Sequence, residues 1–205
     1  MTVRIKVCGI THPDDAAAAV DAGVDLIGLN FVPGSPRALT IEQAQKISER
    51  VSGQIERVAL FADAPFDQIL RVMRRVDLER VQFHGEETEE DIERVDLPVI
   101  KAVRGADMEA AEQFPSAILL LDHPTEGGGK GKAWNWSEAS QLISAGIDVI
   151  LAGGLTPENV AQALADVGDV LPWGVDVATG VDGESFRKDA AKIVAFVKAV
   201  REASK

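Results

Sequence analysis

The sequence predicts an α/β protein built as a single (β/α)8 TIM barrel spanning residues 1–205. A short β-branched apolar run, a small or polar turn and an amphipathic stretch recur eight times along the chain. Most of the apolar runs are continuous rather than alternating, as parallel strands covered on both faces require. Eight units in 205 residues average about 26 each, which is compact but sufficient for a barrel of roughly 200 residues or more. A doubly wound open sheet uses the same alternation. Eight repeats with no helical gap favour the barrel.

The strand candidates, in order, are Arg4–Val7, Leu26–Phe31, Arg57–Phe61, Arg80–Phe83, Val99–Val103, Ala117–Leu121, Asp148–Ala152 and Trp173–Val177. Between them lie helices with readable ends. Thr40 followed by Gln43 has the spacing of a capping box, opening a helix with Ile41, Ala44, Ile47 and Val51 on one side. Segment Glu86–Asp96 holds seven acids and one arginine and reads as a solvated helix face. Thr156-Pro157-Glu158 puts a cap, a first-turn proline and an acid in succession, a helix start. Phe186, Ala190, Ile193, Val197 and Val200 recur at three and four and predict an amphipathic C-terminal helix.

Composition narrows the function classes. With 21 Lys+Arg against 33 Asp+Glu the formal charge is −12. A nucleic-acid or anionic-membrane binder needs a basic footprint, so neither partner is expected. The longest stretch without a charge, Leu26–Pro36, is eleven residues with two prolines, too short to span a bilayer. Cys8 is the only cysteine, so no intrachain disulfide forms, and the N-terminus lacks the apolar core of a signal peptide. Both features predict a cytoplasmic protein. No His/Cys/acid cluster has metal-ligand spacing and no Gly-x-Gly-x-x-Gly follows the first strand. Neither a metal nor a dinucleotide cofactor is therefore expected.

In a barrel the chemistry sits at the C-terminal strand ends. Polar residues there are Cys8, Asn30, Arg37, His84, Lys101, Asp122, Gly153-Gly154 and Asp176, with Thr179-Gly180 beyond. Each has two readings. Cys8 is either a small buried hydrophobe or a nucleophile or base. Asp122, directly after four apolar residues, is either paired or functional. Arg37 is a surface arginine or the fork that grips a carboxylate or phosphate. His84 hydrogen-bonds its neighbours or lines the site. Gly153-Gly154-Leu155-Thr156-Pro157 is a strand end, glycine turn and helix start, a geometry that presents N–H groups to an anion. Gly180, after the eighth strand, completes the phosphate site that barrels build from loops seven and eight. Gly127–Lys132 is no P-loop, because Ala133 follows Lys132, and reads as a loop whose lysines Lys130 and Lys132 approach a substrate.

Taken together the motifs resemble phosphoribosylanthranilate isomerases of tryptophan biosynthesis. Lys6-Val-Cys-Gly-Ile-Thr11 is similar to the family's first-strand motif and Gly28–Arg37 to its second-strand loop. Val81–Glu86, Leu120–Asp122 with Gly128–Lys132, Leu151–Val160 and Gly174–Val181 follow in the family's order. The resemblance implies the (β/α)8 fold and an Amadori rearrangement of N-(5-phosphoribosyl)anthranilate without metal or cofactor. It implies Asp122 as general acid, opening the ribose ring to a Schiff base, and Cys8 as general base removing the C2 proton. It implies Arg37 on the anthranilate carboxylate, and Gly153, Gly154, Thr179 and Gly180 on the phosphate. His84 and Asp176 fall on site-lining positions.

A base thiol needs a lowered pKa, which a cationic neighbour or local N–H groups would provide. Gly34, Lys130, Asn135 and Ala178 depart from the commonest family forms and bear on affinity rather than reaction type. Other phosphosugar barrel enzymes remain as alternatives, though a histidine-pathway isomerase would carry an acid in place of Cys8. A non-catalytic phosphometabolite-binding module is the third reading. Eight complete units allow a monomer, and the resemblance implies a monomer or a homodimer.

Overall fold

The computed structural model describes residues 2–124 and 133–205. Lys130 and Lys132 lie outside the described residues. Eight parallel strands close into a barrel in chain order, each followed by a helix. The elements are β1 Arg4–Cys8, α1 Pro13–Ala22, β2 Leu26–Asn30, α2 Ile41–Arg50, β3 Glu56–Phe61, α3 Phe66–Met73, β4 Arg80–Phe83 and α4 Glu89–Glu93. They continue with β5 Val99–Arg104, α5 Met108–Gln113, β6 Ile118–Asp122, α6 Ser140–Ser144, β7 Val149–Leu151, α7 Val160–Asp166, β8 Gly174–Val177 and α8 Ala190–Ala203. The barrel reading holds over the open sheet because β1 pairs with both β2 and β8.

Alternation along the strands makes two cores. Leu26, Val58, Ile100, Leu120 and Ile150 fill the barrel interior. Ile5, Ile27, Leu119, Leu151 and Val175 point the other way and pack under the helices. Burying each such side chain contributes about 1.5–3 kcal/mol over leaving it exposed. The N-terminal mouth is sealed by charge and an aromatic ring together. Arg4 and Arg80 lie 4.7 and 5.3 Å from the Trp173 ring centre, and Glu56 accepts from both at 2.7 Å.

Three strands, β1, β5 and β6, run one residue further than the apolar runs predict. Cys8 pairs with Gly28 and Asp122 with Arg104, so all three residues added lie inside the ladder rather than after it. Backbone pairing holds a polar residue in a strand where periodicity alone ends the element. The Thr40–Gln43 capping box forms with both reciprocal bonds, 2.8 and 3.2 Å. The Thr156 cap forms as well: its hydroxyl accepts from Glu158 N at 3.2 Å, its N–H donates to the Asn159 side chain at 2.7 Å and its carbonyl accepts from Val160 N at 3.1 Å, with regular helix from Val160. Two readings need correction. Glu87 is buried rather than solvated, and pairs with Lys101 at 3.0 Å. The buried face of α8 is Ile193, Phe196, Val197 and Val200, while Phe186 precedes the helix and Ala190 is exposed.

That last face is testable. Phe196 is fully buried and Val194 is 54% exposed. In urea denaturation Phe196→Ala is expected to cost about 3–5 kcal/mol, and Val194→Ala to stay within about 0.5 kcal/mol of the parent.

Candidate active site

Inward-facing residues at the C-terminal strand ends converge on one rim, and the predicted residues sort by that rule. Gly28, two residues beyond the interior Leu26, faces Cys8 so closely that a Cβ there would stand 2.7 Å from Sγ. Asp122 lies two beyond the interior Leu120 and so points inward. Asp176 and Lys6 are register partners across the β1–β8 seam. Lys101 has the opposite phase. It clamps the loop after β4 by bonding Gly85 O and Glu87.

Lys6 is the residue whose importance the sequence reading missed, although it sits two positions before Cys8 in an otherwise apolar strand. It is 1% exposed and its Nζ donates to Asp176 Oδ1 at 2.9 Å. Burial alone would lower the Lys6 pKa, but the Asp176 carboxylate and Cys8 outweigh it and hold Lys6 above its usual value. The lysine therefore stays charged directly beside the thiol.

Cys8 departs from expectation. Cationic neighbours are present, yet burial pushes the thiol up, and Lys6 and Lys188 offset this only in part. Burial thus favours the neutral thiol in the unliganded protein, with Lys6 and Lys188 near it.

Asp122 is fixed at both oxygens. Its Oδ1 accepts from His123 N at 2.8 Å and its Oδ2 lies 3.2 Å from His84 Nε2. His84 Nδ1 in turn lies 3.1 Å from the Gln82 amide nitrogen, and Gln82 Oε1 is buried without a partner. The Gln82 amide and the His84 ring have two self-consistent settings. In one the amide donates to Nδ1, and Nε2–H donates to the carboxylate. In the other the amide is turned, Nδ1–H donates to it, and a protonated Asp122 donates to Nε2. The two settings differ by one proton: the carboxyl of Asp122 is ionised in the first and protonated in the second.

Arg37 reaches the rim through a shaped loop. Asn30 Nδ2 donates to Ser35 Oγ at 3.0 Å, and Ser35 Oγ accepts from Arg37 N at 3.2 Å. Its stem then crosses Gly9, where a Cβ would stand 2.4 Å from Arg37 Cδ. The guanidinium ends on Asp182, which also accepts from Lys188 Nζ at 2.6 Å. Burial holds the Lys188 pKa below its usual value despite Asp182. Asp182 and Lys188 lie beyond the strand ends that sequence reasoning searched, because the loop after β8 folds back over β1.

The two glycine turns meet as expected. Gly153 and Gly154 have φ of 74° and 77°, which favours glycine. Gly180 faces Leu155 O so closely that a Cβ would stand 2.1 Å away. The loops after β7 and β8 therefore touch at Gly180, with Thr179 beside it. Among the described residues no group of three or more His, Cys, Asp or Glu is arranged to hold a metal. No helix among them is long and apolar enough to cross a membrane.

Known proteins match this chain over nearly its full length. The family profile of N-(5'phosphoribosyl)anthranilate (PRA) isomerase matches residues 5–199. An N-(5'-phosphoribosyl)anthranilate isomerase of Pseudomonas fluorescens strain Pf0-1 is 46% identical, over 97% of this chain and 98% of that one. The crystal structure of phosphoribosyl anthranilate isomerase from Thermotoga maritima superposes with a TM-score of 0.90 at 37% identity, over 98% of this chain and 100% of that one. A phosphoribosyl anthranilate isomerase solved with reduced 1-(o-carboxyphenylamino)-1-deoxyribulose 5-phosphate has a TM-score of 0.86 at 34% identity, over 98% and 100% of the two chains. The chain belongs to the N-(5'-phosphoribosyl)anthranilate isomerase family.

Proposed function

We propose that the protein catalyses the Amadori rearrangement of N-(5-phosphoribosyl)anthranilate in tryptophan biosynthesis, with Asp122 as general acid and Cys8 as general base. The observation that carries the assignment is the pairing at the rim. One inward carboxyl lies 3.2 Å from His84 Nε2, and one inward thiol has Lys6 beside it. Asp122 in its protonated setting delivers its proton to the ribose ring oxygen, and the C1–O bond opens to a Schiff base. Cys8 acts from the fraction whose thiol proton has been released to solvent, the thiolate beside Lys6, and takes the C2 proton. The resulting enolamine tautomerises to the ketose product.

The thiol's burial has a function in this scheme. A buried thiolate is a stronger base than a solvated one, and Lys6 supplies its counter-charge. Asp176 keeps Lys6 protonated, so Asp176 supports the base without taking a chemical step. His84 orients the Asp122 carboxyl. Arg37 binds the anthranilate carboxylate, and the backbone of Gly153, Gly154, Thr179 and Gly180 binds the phosphate. The product analogue in the related structure carries the same two anionic ends, a carboxyphenyl group and a 5-phosphate.

Loss of anthranilate-type fluorescence from freshly made substrate reads the reaction directly. Asp122→Asn and Cys8→Ser are each expected to lower kcat by about 10²-fold or more. A parent protein that does not accelerate the spontaneous decay would refute the isomerase reading, leaving the phosphometabolite-binding module. The thiol's state is tested separately, by iodoacetamide alkylation in the unliganded protein. Because burial raises the thiol above its ordinary value of 9.0, the neutral form persists and the rate is expected to climb with pH through a midpoint above 9. Lys6→Met removes the neighbouring cation and moves that midpoint further up. A midpoint near 7 in the parent contradicts the account.

A further inference from the structure

The loop after β8 holds two successive residues in the left-handed region, Ser185 at φ 54° and Phe186 at φ 60°. For a bulky side chain this backbone is a genuine outlier. Such strain persists only where the surroundings over-determine it, and it clusters at ligand clamps. Here the surroundings do so without the help of the ring. Arg187 forks onto the buried Asp15 carboxylate at 2.8–3.0 Å, and Lys188 N donates to the same group at 3.1 Å. Gly183 N bonds Arg187 O at 2.8 Å, and Thr11 Oγ1 donates to Phe186 O at 3.4 Å. Each of these contacts uses a neighbour of Phe186 or its own carbonyl. None needs a phenyl group.

The ring also adds little to the core, for Phe186 is 46% exposed. It stands over Arg37, with the guanidinium carbon 5.1 Å from the ring centre. Arg37 itself is 8% exposed, and its Nε is buried without an acceptor among the described residues. A half-exposed aromatic face and a cation with spare hydrogen-bonding capacity thus lie together at the mouth of the barrel.

We propose that Phe186 is a specificity-determining residue, forming with Arg37 a platform that selects an aromatic carboxylate at this end of the site. A carboxylate on Arg37 gains charge-assisted hydrogen bonds whatever carries it. Only a planar aromatic acid also gains contact with the phenyl ring, offset-stacked or edge-on. The strain at Phe186 is then the cost of displaying a ring where glycine would sit without strain. The inference rests on the isomerase reading and names what recognises the aromatic half of its substrate.

Steady-state kinetics on the full chain test it. Phe186→Gly is expected to raise KM for N-(5-phosphoribosyl)anthranilate about 5-fold or more, the loss of one aromatic contact. It should leave kcat within about twofold. Phe186→Tyr, which keeps a ring, should keep the parent KM. The inhibition constant of inorganic phosphate, a probe of the Thr179–Gly180 end, should not change in either variant. Thermal melting of Phe186→Gly should occur no lower than the parent's, because glycine relieves the strained φ. An unchanged KM in Phe186→Gly overturns the proposal. So does a parallel weakening of phosphate, which reports a disturbed loop, or a lowered melting temperature. An inactive parent refutes the isomerase reading itself, whereas an active parent with an unchanged variant KM refutes this inference alone.

Discussion

Lys6 meets Asp176 at 2.9 Å where the first strand closes on the eighth, with 1% of the lysine exposed. Burying an ammonium costs several kcal/mol unless a carboxylate sits beside it, and removing one partner of such a pair typically costs about 3–5 kcal/mol. The contact thus favours closure of the barrel in one register, Lys6 opposite Asp176. It also fixes a permanent cation next to Cys8, two residues along the same strand. The closing seam of the fold and the electrostatics of the proposed base are one structure.

A similar economy governs the rest of the rim. Asp182 receives both Arg37 and Lys188, so two cations from separate parts of the chain are held at one place. The net charge of −12 opposes a substrate with a phosphate and a carboxylate at long range. Capture must therefore rely on local positive groups: Arg37, Lys6 and Lys188, with the glycine-turn N–H groups at the phosphate end. Glu87, drawn from the most acidic stretch of the sequence, is spent structurally. It accepts from Asp63 N and Gly85 N and pairs with Lys101 outside the barrel wall.

The barrel and most of its rim were legible because strand burial leaves a continuous apolar run, and a polar residue at its end is conspicuous. Cys8, Asp122 and Asp176 stand out in this way, and Gly153-Gly154 and Gly180 by their turn chemistry. What stayed hidden depends on contacts remote in sequence. Asp182 and Lys188 join Arg37 from about 150 residues away, and no local pattern encodes that meeting. The thiol's raised pKa was missed for a related reason: a neighbouring lysine can be read from spacing, but the depth of burial cannot. The start of α7 was legible because Thr156 caps it, accepting from Glu158 N at 3.2 Å, while the Asn159 side chain accepts from Thr156 N at 2.7 Å.

The division of labour between Asp122 and Cys8 is the central claim, and substrate deuterated at C2 tests it most directly. Ring opening by Asp122 leaves the C2–H bond intact, and removal of that proton by Cys8 breaks it. In Cys8→Ser the proton abstraction limits the rate, so a large primary isotope effect on kcat is expected. In Asp122→Asn ring opening limits the rate, so the isotope effect should fall close to one. The reverse pattern, a full effect in Asp122→Asn and none in Cys8→Ser, would contradict the assignment of acid and base.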